Sequence, residues 1–521
     1  MRNLHAIILA AGQGVRMKSD LPKVLHTICG RPMIAYALDL AAAAGVKQPI
    51  VVLGHGAEEV KPRLPKEVKV VIQTKQLGTG DAVLVAKKVL GGLTGDLLIL
   101  YADTPLLRRT TVQKLIEAHF KTGATWTLLS AHLADPSGYG RIVRNETGHI
   151  AGVIEEAEAN AAQRAIREIN VGPLVCQTQA LFESLALVKP STSKKELYLT
   201  EVVSSLARQE GTKIQSTRVE EIAEALGINS RAELARAIGV IRQRIVEAHL
   251  HNGVTIEDPQ STFIDHGVTI GADTVIHPYT VIETGVSIGK RCSIGPFARL
   301  RSSVTIADQV RVGNFVELVR TKIGPRVRVN HVTYLGDAIV EDDVNIGAGT
   351  ITANYDGQAK HQTQIGKGAF IGSDTVLIAP VKIGPGATTG AGSVVTKAHD
   401  VPAKGVVVGV PARPLDHRAM AKAEKTLEDA ARKVVKAIPA SKVDGHTAAP
   451  AKGSLRSRAA KMKTKVRLKL RARPAVIARR RVATRVVARR PKPTRRLLRR
   501  KSSRPALAVR RRAGATRRTR R

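Results

Sequence analysis

An aliphatic side chain recurs at every sixth position through the third quarter of the chain. Neither the period of a helix nor the alternation of a strand gives an uninterrupted period of six, so the pattern predicts a solenoid of short strands joined by tight corners. Three hexads would complete one coil, with the aliphatic side chains stacked inward and successive coils ~4.8 Å apart. We assign residues 251–415 to this solenoid. The repeating positions are Ile270, Ile276, Ile282, Ile288, Ile294, Leu300, Ile306, Val312 and Leu318.

Short apolar runs alternate with helix-like stretches in the N-terminal part of the chain. This alternation predicts an α/β domain with a parallel sheet, which we assign to residues 1–228. A helical pattern over 229–250 predicts a linker helix into the solenoid, and an amphipathic pattern within 416–440 predicts one more helix. The apolar runs cover residues 6–9, 50–53, 68–72 and 97–101.

The net charge of +40 belongs mostly to a C-terminal tail. Residues 441–521 contain 31 Lys and Arg against the single acid Asp444, in a background of Ala, Val and Pro. Such a segment has nothing with which to build a core, so we predict that it is disordered. Its arginine clusters are compatible with non-specific binding of nucleic acid or another polyanion. A solvated, dispensable extension and a misread reading frame are the alternatives.

Cysteine usage and hydropathy bear on the compartment. The three cysteines lie far apart and form no CxxC pair, which indicates neither a disulfide framework nor a zinc site. No apolar run reaches the ~18 residues of a membrane span, and no signal-peptide core is present near the N-terminus. We therefore expect a cytoplasmic protein without a membrane span.

A glycine-rich loop follows the first apolar run. Gly12 and Gly14 allow backbone N–H groups to close around an anion, while Arg16 and Lys23 add positive charge. This loop would suit a triphosphate, although a plain glycine turn with surface cations is the alternative. Asp103 stands at the carboxyl end of another apolar run, where open α/β sheets place their ligands, although an isolated aspartate there is often only a loop cap.

Residues 9–26 together resemble the signature of sugar-1-phosphate nucleotidyltransferases, a Rossmann-like family. Further segments at 73–82, 138–142, 168–170 and 227–229 resemble the bifunctional N-acetylglucosamine-1-phosphate uridylyltransferases / glucosamine-1-phosphate acetyltransferases over about residues 4–415. The resemblance implies UTP as a substrate and Mg²⁺ on Asp103 and Asn229. The nucleotide and sugar-nucleotide positions that it implies are Leu9, Ala10, Ala11, Gly12, Arg16, Lys23, Gln73, Gly78, Thr79, Gly140, Glu155, Asn170 and Asn229. By the same resemblance, Gln73, Gly78 and Thr79 would read the uracil and ribose, and Gly140, Glu155 and Asn170 would hold the sugar.

The hexad count slips between Leu318 and Ile323, and an irregular polar loop interrupts it again over 353–364. Loops that interrupt a solenoid often serve binding or catalysis. His331 lies between these irregularities, and taken alone it would be a solvated histidine. The repeat resembles that of the left-handed β-helix acyltransferases, which implies the handedness, acetyl-CoA as co-substrate and His331 as general base.

The same resemblance implies two binding sets in the solenoid. The glucosamine-phosphate set is Arg301, Tyr334, Asn345 and Lys360. The acetyl-CoA set is Ala348, Asn354, Tyr355, Ser373 and Ala391. It also implies a homotrimer with acetyltransferase sites at the subunit junctions.

Four residues, at three places in the chain, depart from the family pattern. Glu156 and Ala157 stand where the family often has His-Lys, and Val319 stands where it usually has a phosphate-binding lysine. Gly409 falls near the position where the family commonly has an arginine that contacts coenzyme A. Our first hypothesis is a bifunctional enzyme of UDP-N-acetylglucosamine synthesis. The second retains uridylyl transfer only, with the solenoid as a trimerising scaffold. The third is a nucleic-acid-associated protein that acts through the tail.

Overall fold

The computed structural model describes residues 3–92, 94–191 and 195–414, together with 422, 425, 426 and 429. By packing, the chain divides into two units, Met1–Lys422 and Ala423–Arg521, and the elements below belong to the first. The helix predicted within 416–440 and the tail lie outside the described residues, apart from those four positions. In the part of the chain that is described, no helix is both long and apolar enough to cross a membrane.

The N-terminal domain is built around one mixed sheet. Its strands run in the order β11-β7-β10-β6-β1-β4-β5, and a β8–β9 hairpin extends from β10. The strands are β1 (Leu4–Ala10), β2 (Thr27–Ile28), β3 (Arg31–Pro32), β4 (Ile50–Leu53), β5 (Lys69–Ile72), β6 (Asp96–Tyr101), β7 (Trp126–His132), β8 (Gly140–Arg144), β9 (Ile150–Ile154), β10 (Glu168–Gln177) and β11 (Ile214–Arg218).

Strands β1, β4, β5 and β6 are parallel, as the alternating pattern predicted, and β1 pairs with both β4 and β6. Strand β10 runs antiparallel to β6 and β7, which the sequence analysis did not anticipate. Because both faces of the central strands are covered by helices, their side chains form near-continuous buried runs.

The helices of the first unit lie on the two faces of this sheet and at its junction with the solenoid. They are α1 (Met33–Ala43), α2 (Ala57–Val60), α3 (Thr79–Leu90), α4 (Arg109–Thr122), α5 (Ala161–Arg164), α6 (Thr178–Leu187), α7 (Glu201–Leu206) and α8 (Arg231–His251). Four 3-10 turns cover Val15–Met17, Lys23–Leu25, Lys61–Arg63 and Ile222–Ala225.

Helix α8 joins the two domains. It starts after Ser230, whose side chain accepts a hydrogen bond from the backbone N–H of Glu233. Its first half buries Leu234 and Ile241 against the N-terminal domain, whereas Val246 in its second half belongs to the solenoid core. One helix therefore closes the end of the solenoid and anchors it to the N-terminal domain.

The solenoid confirms the six-residue pattern, because each coil contributes three short strands that stack in three parallel faces. Face A contains β12, β15, β18, β25, β28, β31 and β33, face B contains β13, β16, β19, β26, β29 and β32, and face C contains β14, β17, β20, β22, β24, β27 and β30. The longer β21 and β23 run from face A round the corner into face B. The antiparallel β34 pairs with β33 at the end of face A.

The solenoid strands are β12 (Thr255–Ile256), β13 (Phe263–Ile264), β14 (Thr269–Ile270), β15 (Val275–Ile276), β16 (Val281–Ile282), β17 (Ser287–Ile288), β18 (Ser293–Ile294), β19 (Arg299–Leu300), β20 (Thr305–Ile306), β21 (Arg311–Val319), β22 (Lys322–Ile323), β23 (Arg328–Gly336), β24 (Ala338–Val340), β25 (Asn345–Ile346), β26 (Ile351–Ala353), β27 (Thr363–Ile365), β28 (Phe370–Ile371), β29 (Val376–Ile378), β30 (Val381–Ile383), β31 (Thr388–Thr389), β32 (Val394–Val395), β33 (Val406–Val408) and β34 (Arg413–Pro414).

The coils are not all of one length. Ile288 pairs with Ile306, eighteen residues on, but Ile306 pairs with Ile323 and Ile323 with Val340, which are seventeen residues apart. The first of these slips, between Leu318 and Ile323, is the one predicted from the sequence, whereas the second, between Leu335 and Val340, was not predicted. Val340 then pairs with Ile365, so the next coil carries the extra residues of the 353–364 loop.

Candidate active sites

The glycine-rich loop lies at the carboxyl end of β1, beside the end of β6. Leu9 pairs with Tyr101, which places Asp103 next to the loop that starts at Ala11. Gly12 has open space around its α-carbon, and Gly14 adopts a positive φ of 64° with its α-carbon packed against the stem of Lys23. The buried Leu9, Ala10 and Ala11 hold the strand end in the core. The open side of this loop is where a triphosphate would meet backbone N–H groups.

Lys23 brings the two predicted metal ligands together. Its Nζ donates to Asp103 Oδ2 at 2.7 Å and to Asn229 Oδ1 at 3.0 Å. The backbone N–H of Ile228 donates to the carbonyl of Asp103 at 2.9 Å, which fixes the two segments against each other. Both oxygens therefore converge on one cationic position, and carboxylate and amide oxygens are ligands that Mg²⁺ accepts.

The residues predicted for uracil and ribose meet at the start of α3. Gln73 is buried, and its Nε2 donates to the carbonyl of Gly78 at 3.1 Å and to Asp81 Oδ2 at 2.7 Å. Thr79 Oγ1 accepts from the backbone N–H of Leu199 at 3.0 Å. Gly78 has a φ of 105°, and a side chain there would collide with the backbone of Leu197. These hydrogen bonds and the close packing at Gly78 fix the start of α3 beside the carboxyl ends of the strands.

The residues predicted for the sugar also converge. Gly140 pairs with Asn170, and a Cβ on Gly140 would lie 3.6 Å from the carboxylate oxygens of Glu155. Thr200 Oγ1 donates to Glu155 Oε1 at 2.7 Å. Burial raises the pKa of Tyr101, and the negative charges of Glu155 and Asp103 act in the same direction. The Tyr101 phenol therefore stays neutral between the proposed sugar and metal ends of the site.

Glu156, one of the departures from the family pattern, has a structural partner. The guanidinium of Arg141 is buried and lies 2.7 Å from Glu156 Oε2. The same guanidinium donates to the carbonyls of Tyr139 and Ile166. Its hydrogen bond to Glu156 holds the pKa of that carboxyl below its ordinary range. Glu156 thus neutralises the charge of a buried arginine.

His331 stands on the corner between faces A and B. Its Nδ1 lies 2.7 Å from Asn314 Oδ1, the residue that pairs with it on the preceding coil. Because a carbonyl oxygen only accepts, this contact places the proton on Nδ1 and leaves the lone pair on Nε2. The histidine is exposed, so Nε2 is accessible to a substrate.

Most of the predicted acetyl-CoA residues extend from this corner as a column. Val329, Ile346, Ile371, Thr389 and Val407 pair in succession along face A. The residues two positions after each of them therefore stack on successive coils along one corner of the solenoid. These residues are His331, Ala348, Ser373, Ala391 and Gly409.

The predicted glucosamine-phosphate residues divide between two sides of this corner. Tyr334 lies on face B, where its hydroxyl and the Asn354 amide both lie against Gly336. Arg301 Nη1 lies 3.1 Å from Glu317 Oε1 on the same face. Asn345, in contrast, lies on face A, where it lines a cavity of about 340 Å³ with Arg311 and Arg328.

The irregular loop at 353–364 contacts the segment where the hexad count slips, through hydrogen bonds that meet at Asp337. Asn354 Nδ2 donates to Asp337, and Arg320 binds the same carboxylate through Nε at 2.6 Å and Nη2 at 2.8 Å. Tyr355, in the loop, is 60% exposed and forms an isolated β-bridge with Lys360. Val319 is only 3% exposed, so its side chain is part of the solenoid wall.

Three contacts of the sites were missed by sequence reasoning. They involve Asn314 beside His331, Thr200 beside Glu155, and Asp337 between Arg320 and Asn354. The contact of Asn314 could have been predicted from the sequence, because Asn314 lies one seventeen-residue coil before His331. Thr200 carries no local signal, since its contact depends on how α7 packs beside the strand that precedes Glu155.

Comparisons with known proteins give the same two parts. A model of the MobA-like NTP transferase domain matches residues 6–184, and a model of the bacterial transferase hexapeptide repeat matches residues 267–302 and 362–397. A protein of Heliobacterium modesticaldum named Bifunctional protein GlmU is 43% identical over 441 residues, which is 78% of this chain and 96% of that protein. Proteins of the same name from Shouchella clausii and Pelotomaculum thermopropionicum are 41% and 44% identical, with 78% and 73% of this chain and 96% and 90% of theirs covered.

Proposed function

The chain belongs to the family of bifunctional GlmU proteins, and from this membership we propose how its two activities are divided along the chain. It is a transferase that moves acetyl from acetyl-CoA to glucosamine 1-phosphate and uridylyl from UTP to N-acetylglucosamine 1-phosphate, releasing pyrophosphate. We assign uridylyl transfer to residues 1–228, the link to 229–250 and acetyl transfer to 251–415. The observation that supports this division is that the predicted residues form two separate groups, one at the sheet edge and one around the His331 corner.

For uridylyl transfer, the sugar phosphate attacks the α-phosphorus of UTP in line with the departing pyrophosphate. No covalent intermediate with the protein is required, so the chain contributes position and charge. The open glycine loop with Arg16 and Lys23 would hold the phosphates, and Gln73 and Thr79 would hold the nucleoside. Gly140, Glu155 and Asn170 would orient the sugar. Mg²⁺, when bound by Asp103 and Asn229, would neutralise charge on the phosphate oxygens.

For acetyl transfer, the amine of glucosamine 1-phosphate attacks the thioester carbonyl of acetyl-CoA. The C–N bond forms as the C–S bond breaks, the amine proton moves to His331 Nε2, and the thiolate of CoA leaves and is then protonated. The contact with Asn314 supports this role, because it leaves Nε2 as the free base. The corner column of Ala348, Ser373 and Ala391 would form the acetyl-CoA groove, with Asn354 and Tyr355 at its irregular edge.

The proposal is tested by following free CoA and pyrophosphate separately. Purified protein is given glucosamine 1-phosphate, acetyl-CoA, UTP and Mg²⁺, and both products should appear. Pyrophosphate that forms only with added N-acetylglucosamine 1-phosphate would instead support the uridylyltransferase-only hypothesis, which Val319 and Gly409 motivate. Release of CoA without pyrophosphate would refute the assignment of the N-terminal domain. His331→Ala should remove CoA release alone.

We propose a homotrimer, as the resemblance to the left-handed β-helix acyltransferases implies, and the position of the predicted acetyltransferase residues supports a neighbouring copy. Asn345 lies on face A, whereas Arg301 and Tyr334 lie on face B, on the other side of the corner that carries His331. A neighbouring solenoid placed against this corner would let one substrate contact both sets. We also propose a cytoplasmic location, where UTP and acetyl-CoA are available and isolated thiols stay reduced.

The basic tail supports a second candidate function, binding of nucleic acid. Residues 441–521 carry 31 Lys and Arg and no Tyr, Phe or Trp, so binding would be electrostatic and independent of sequence. A filter-binding titration of duplex DNA with the whole chain and with residues 1–440 tests this. We expect tighter, salt-sensitive binding by the whole chain, and equal affinities would refute the role of the tail.

A further inference from the structure

One buried ammonium group occupies the point on which the two proposed metal ligands converge. Lys23 Nζ lies 2.7 Å from Asp103 Oδ2 and 3.0 Å from Asn229 Oδ1. The side chain of Lys23 is only 9% exposed, and that of Asp103 is 27% exposed. A positive charge that is largely shielded from solvent requires hydrogen-bonding partners, and these two oxygens supply them.

The aliphatic stem of Lys23 also packs against the glycine-rich loop. A Cβ on Gly14 would come within 2.8 Å of the Lys23 Cβ, so the glycine permits this close packing. The lysine starts the 3-10 turn Lys23–Leu25, and its four-carbon chain can swing while the turn stays in place. The same ammonium can therefore reach either the carboxylate of Asp103 or a phosphate bound at the loop.

We propose that Lys23 is a built-in counter-ion of the metal site, which holds Asp103 and Asn229 in the absence of metal and is drawn away when a triphosphate binds. This inference rests on the proposed metal-binding role of Asp103 and Asn229. Ammonium and Mg²⁺ compete for the same oxygen lone pairs and repel each other at this range, so both do not bind the two oxygens at once. Lys23 is thus a positioning residue that makes metal binding depend on nucleotide binding.

Linkage makes the coupling reciprocal, because whatever removes Lys23 from the oxygens favours metal binding, and metal binding releases Lys23 to the phosphates. Removing the charge of Lys23 should therefore have two effects of opposite sign. Metal should bind more tightly in the absence of nucleotide, and nucleotide should bind more weakly in the absence of metal. General damage to the fold would weaken both.

The test uses the full chain and the variants K23M, D103N and K18M. Mn²⁺ is titrated without nucleotide and followed by the electron paramagnetic resonance signal of free Mn²⁺, and UTP is titrated by calorimetry in EDTA. We expect K23M to bind Mn²⁺ at least about tenfold more tightly than the parent chain and UTP about tenfold more weakly. K18M removes an exposed lysine of the same segment and should match the parent chain in both titrations.

The outcomes separate this inference from the proposed function. Equal Mn²⁺ affinity of K23M and the parent chain, together with weaker Mn²⁺ binding by D103N, would overturn the counter-ion role and leave the metal site standing. Mn²⁺ binding that D103N leaves unchanged would refute the metal site itself. If K23M does not give a cooperative melting curve, K23Q provides the same comparison with a neutral polar side chain.

Discussion

Whether His331 can act as a base depends on which of its ring nitrogens carries the proton, and the Asn314 side chain contacts one of those nitrogens. Its Oδ1 lies 2.7 Å from His331 Nδ1, on the coil directly before the histidine. We expect Asn314→Ala to reduce kcat of acetyl transfer about tenfold with little change in KM, because the imidazole loses its fixed tautomer and orientation. Pyrophosphate release by the other domain should be unchanged, which serves as the internal control.

The pH–rate profile separates this role from a merely structural one. Asn314→Asp keeps the contact but adds a negative charge that favours the protonated imidazole, so the acid limb of acetyl transfer should move to higher pH. An identical profile for Asn314→Asp and the parent chain would contradict the assignment of His331 and Asn314 as a pair.

Asp337 gives a second prediction at the scale of one residue. Hydrogen bonds from Arg320 hold its pKa below the ordinary 3.8, and the Asn354 amide acts in the same direction. A lowered pKa stabilises the fold fully above the unfolded value and loses that stabilisation as the pH falls through the folded value. Asp337→Asn should therefore melt at a lower temperature than the parent chain near neutral pH, and the difference should shrink below about pH 4.

Arg320→Gln is the matched control for this pH dependence. It removes the same ion pair from the other side, so its deficit in melting temperature should also fade in acid. If the lower melting temperature of Asp337→Asn persisted unchanged to low pH, the Asp337 carboxyl would stabilise this part of the solenoid through packing rather than through its charge.

At the scale of the element, the solenoid depends on coils that approach closely at their corners. A Cβ on Gly313 would overlap the backbone carbonyl of Asn330 on the next coil. Backbone atoms at a stacked corner cannot give way as a side-chain tip can, so Gly313→Ala should lower the free energy of unfolding by about 2–4 kcal/mol. It should also disturb the adjacent Asn314 and with it acetyl transfer.

Gly239 offers a control of opposite sign. It is exposed within helix α8, and an added Cβ would meet nothing within 4 Å. Gly239→Ala should raise the free energy of unfolding by about 0.5–1 kcal/mol, because alanine loses less backbone entropy in a helix. Urea unfolding followed by circular dichroism measures both variants. A neutral Gly313→Ala would contradict the close stacking of these coils.

The sequence predicted the regular elements well, and its failures have physical causes. The period of six fixed the inward positions, because aliphatic residues such as Ile288 and Ile306 stack directly on one another. The second slip was not predicted because Ile339 and Val340 are adjacent aliphatic residues, and the sequence alone does not show which of them faces inward. Strand β10 was not predicted as antiparallel, since direction depends on the path of the connection rather than on the side chains of the strand.

The site residues likewise include some contacts that the sequence predicted and some that it did not. The glycine loop and Asp103 were expected together, because strand ends of a parallel sheet meet at one edge. That Lys23 would bridge Asp103 and Asn229 was not visible, since these partners are 80 and 206 residues away. The direction of a long flexible side chain is decided by packing and charge in the folded chain, and no local pattern records it.

At the scale of the whole molecule, an exposed apolar edge runs up to the proposed acetyltransferase site. Tyr279, Phe297 and Phe315 stack on successive coils, with ring centroids 4.9 and 5.2 Å apart, and each is about half exposed. Val332, next to His331, continues the same corner and is 57% exposed. These four residues adopt a positive φ, as many other corner residues of the solenoid do.

A second copy of this chain is the occupant that the proposed trimer would place here, because the proposed glucosamine-phosphate residues lie on both sides of this same corner. The double variant Phe297→Asp with Phe315→Asp should therefore convert a trimer to monomers in sedimentation velocity and abolish CoA release, because charges would be buried at the junction. Pyrophosphate release should persist, since all of the proposed nucleotide residues converge within a single chain. Leu187→Asp changes an exposed leucine of the N-terminal domain and should leave both assembly and activities intact. A trimer that survives the double variant would place the interface elsewhere, and retained CoA release from monomers would show that a single chain suffices for acetyl transfer.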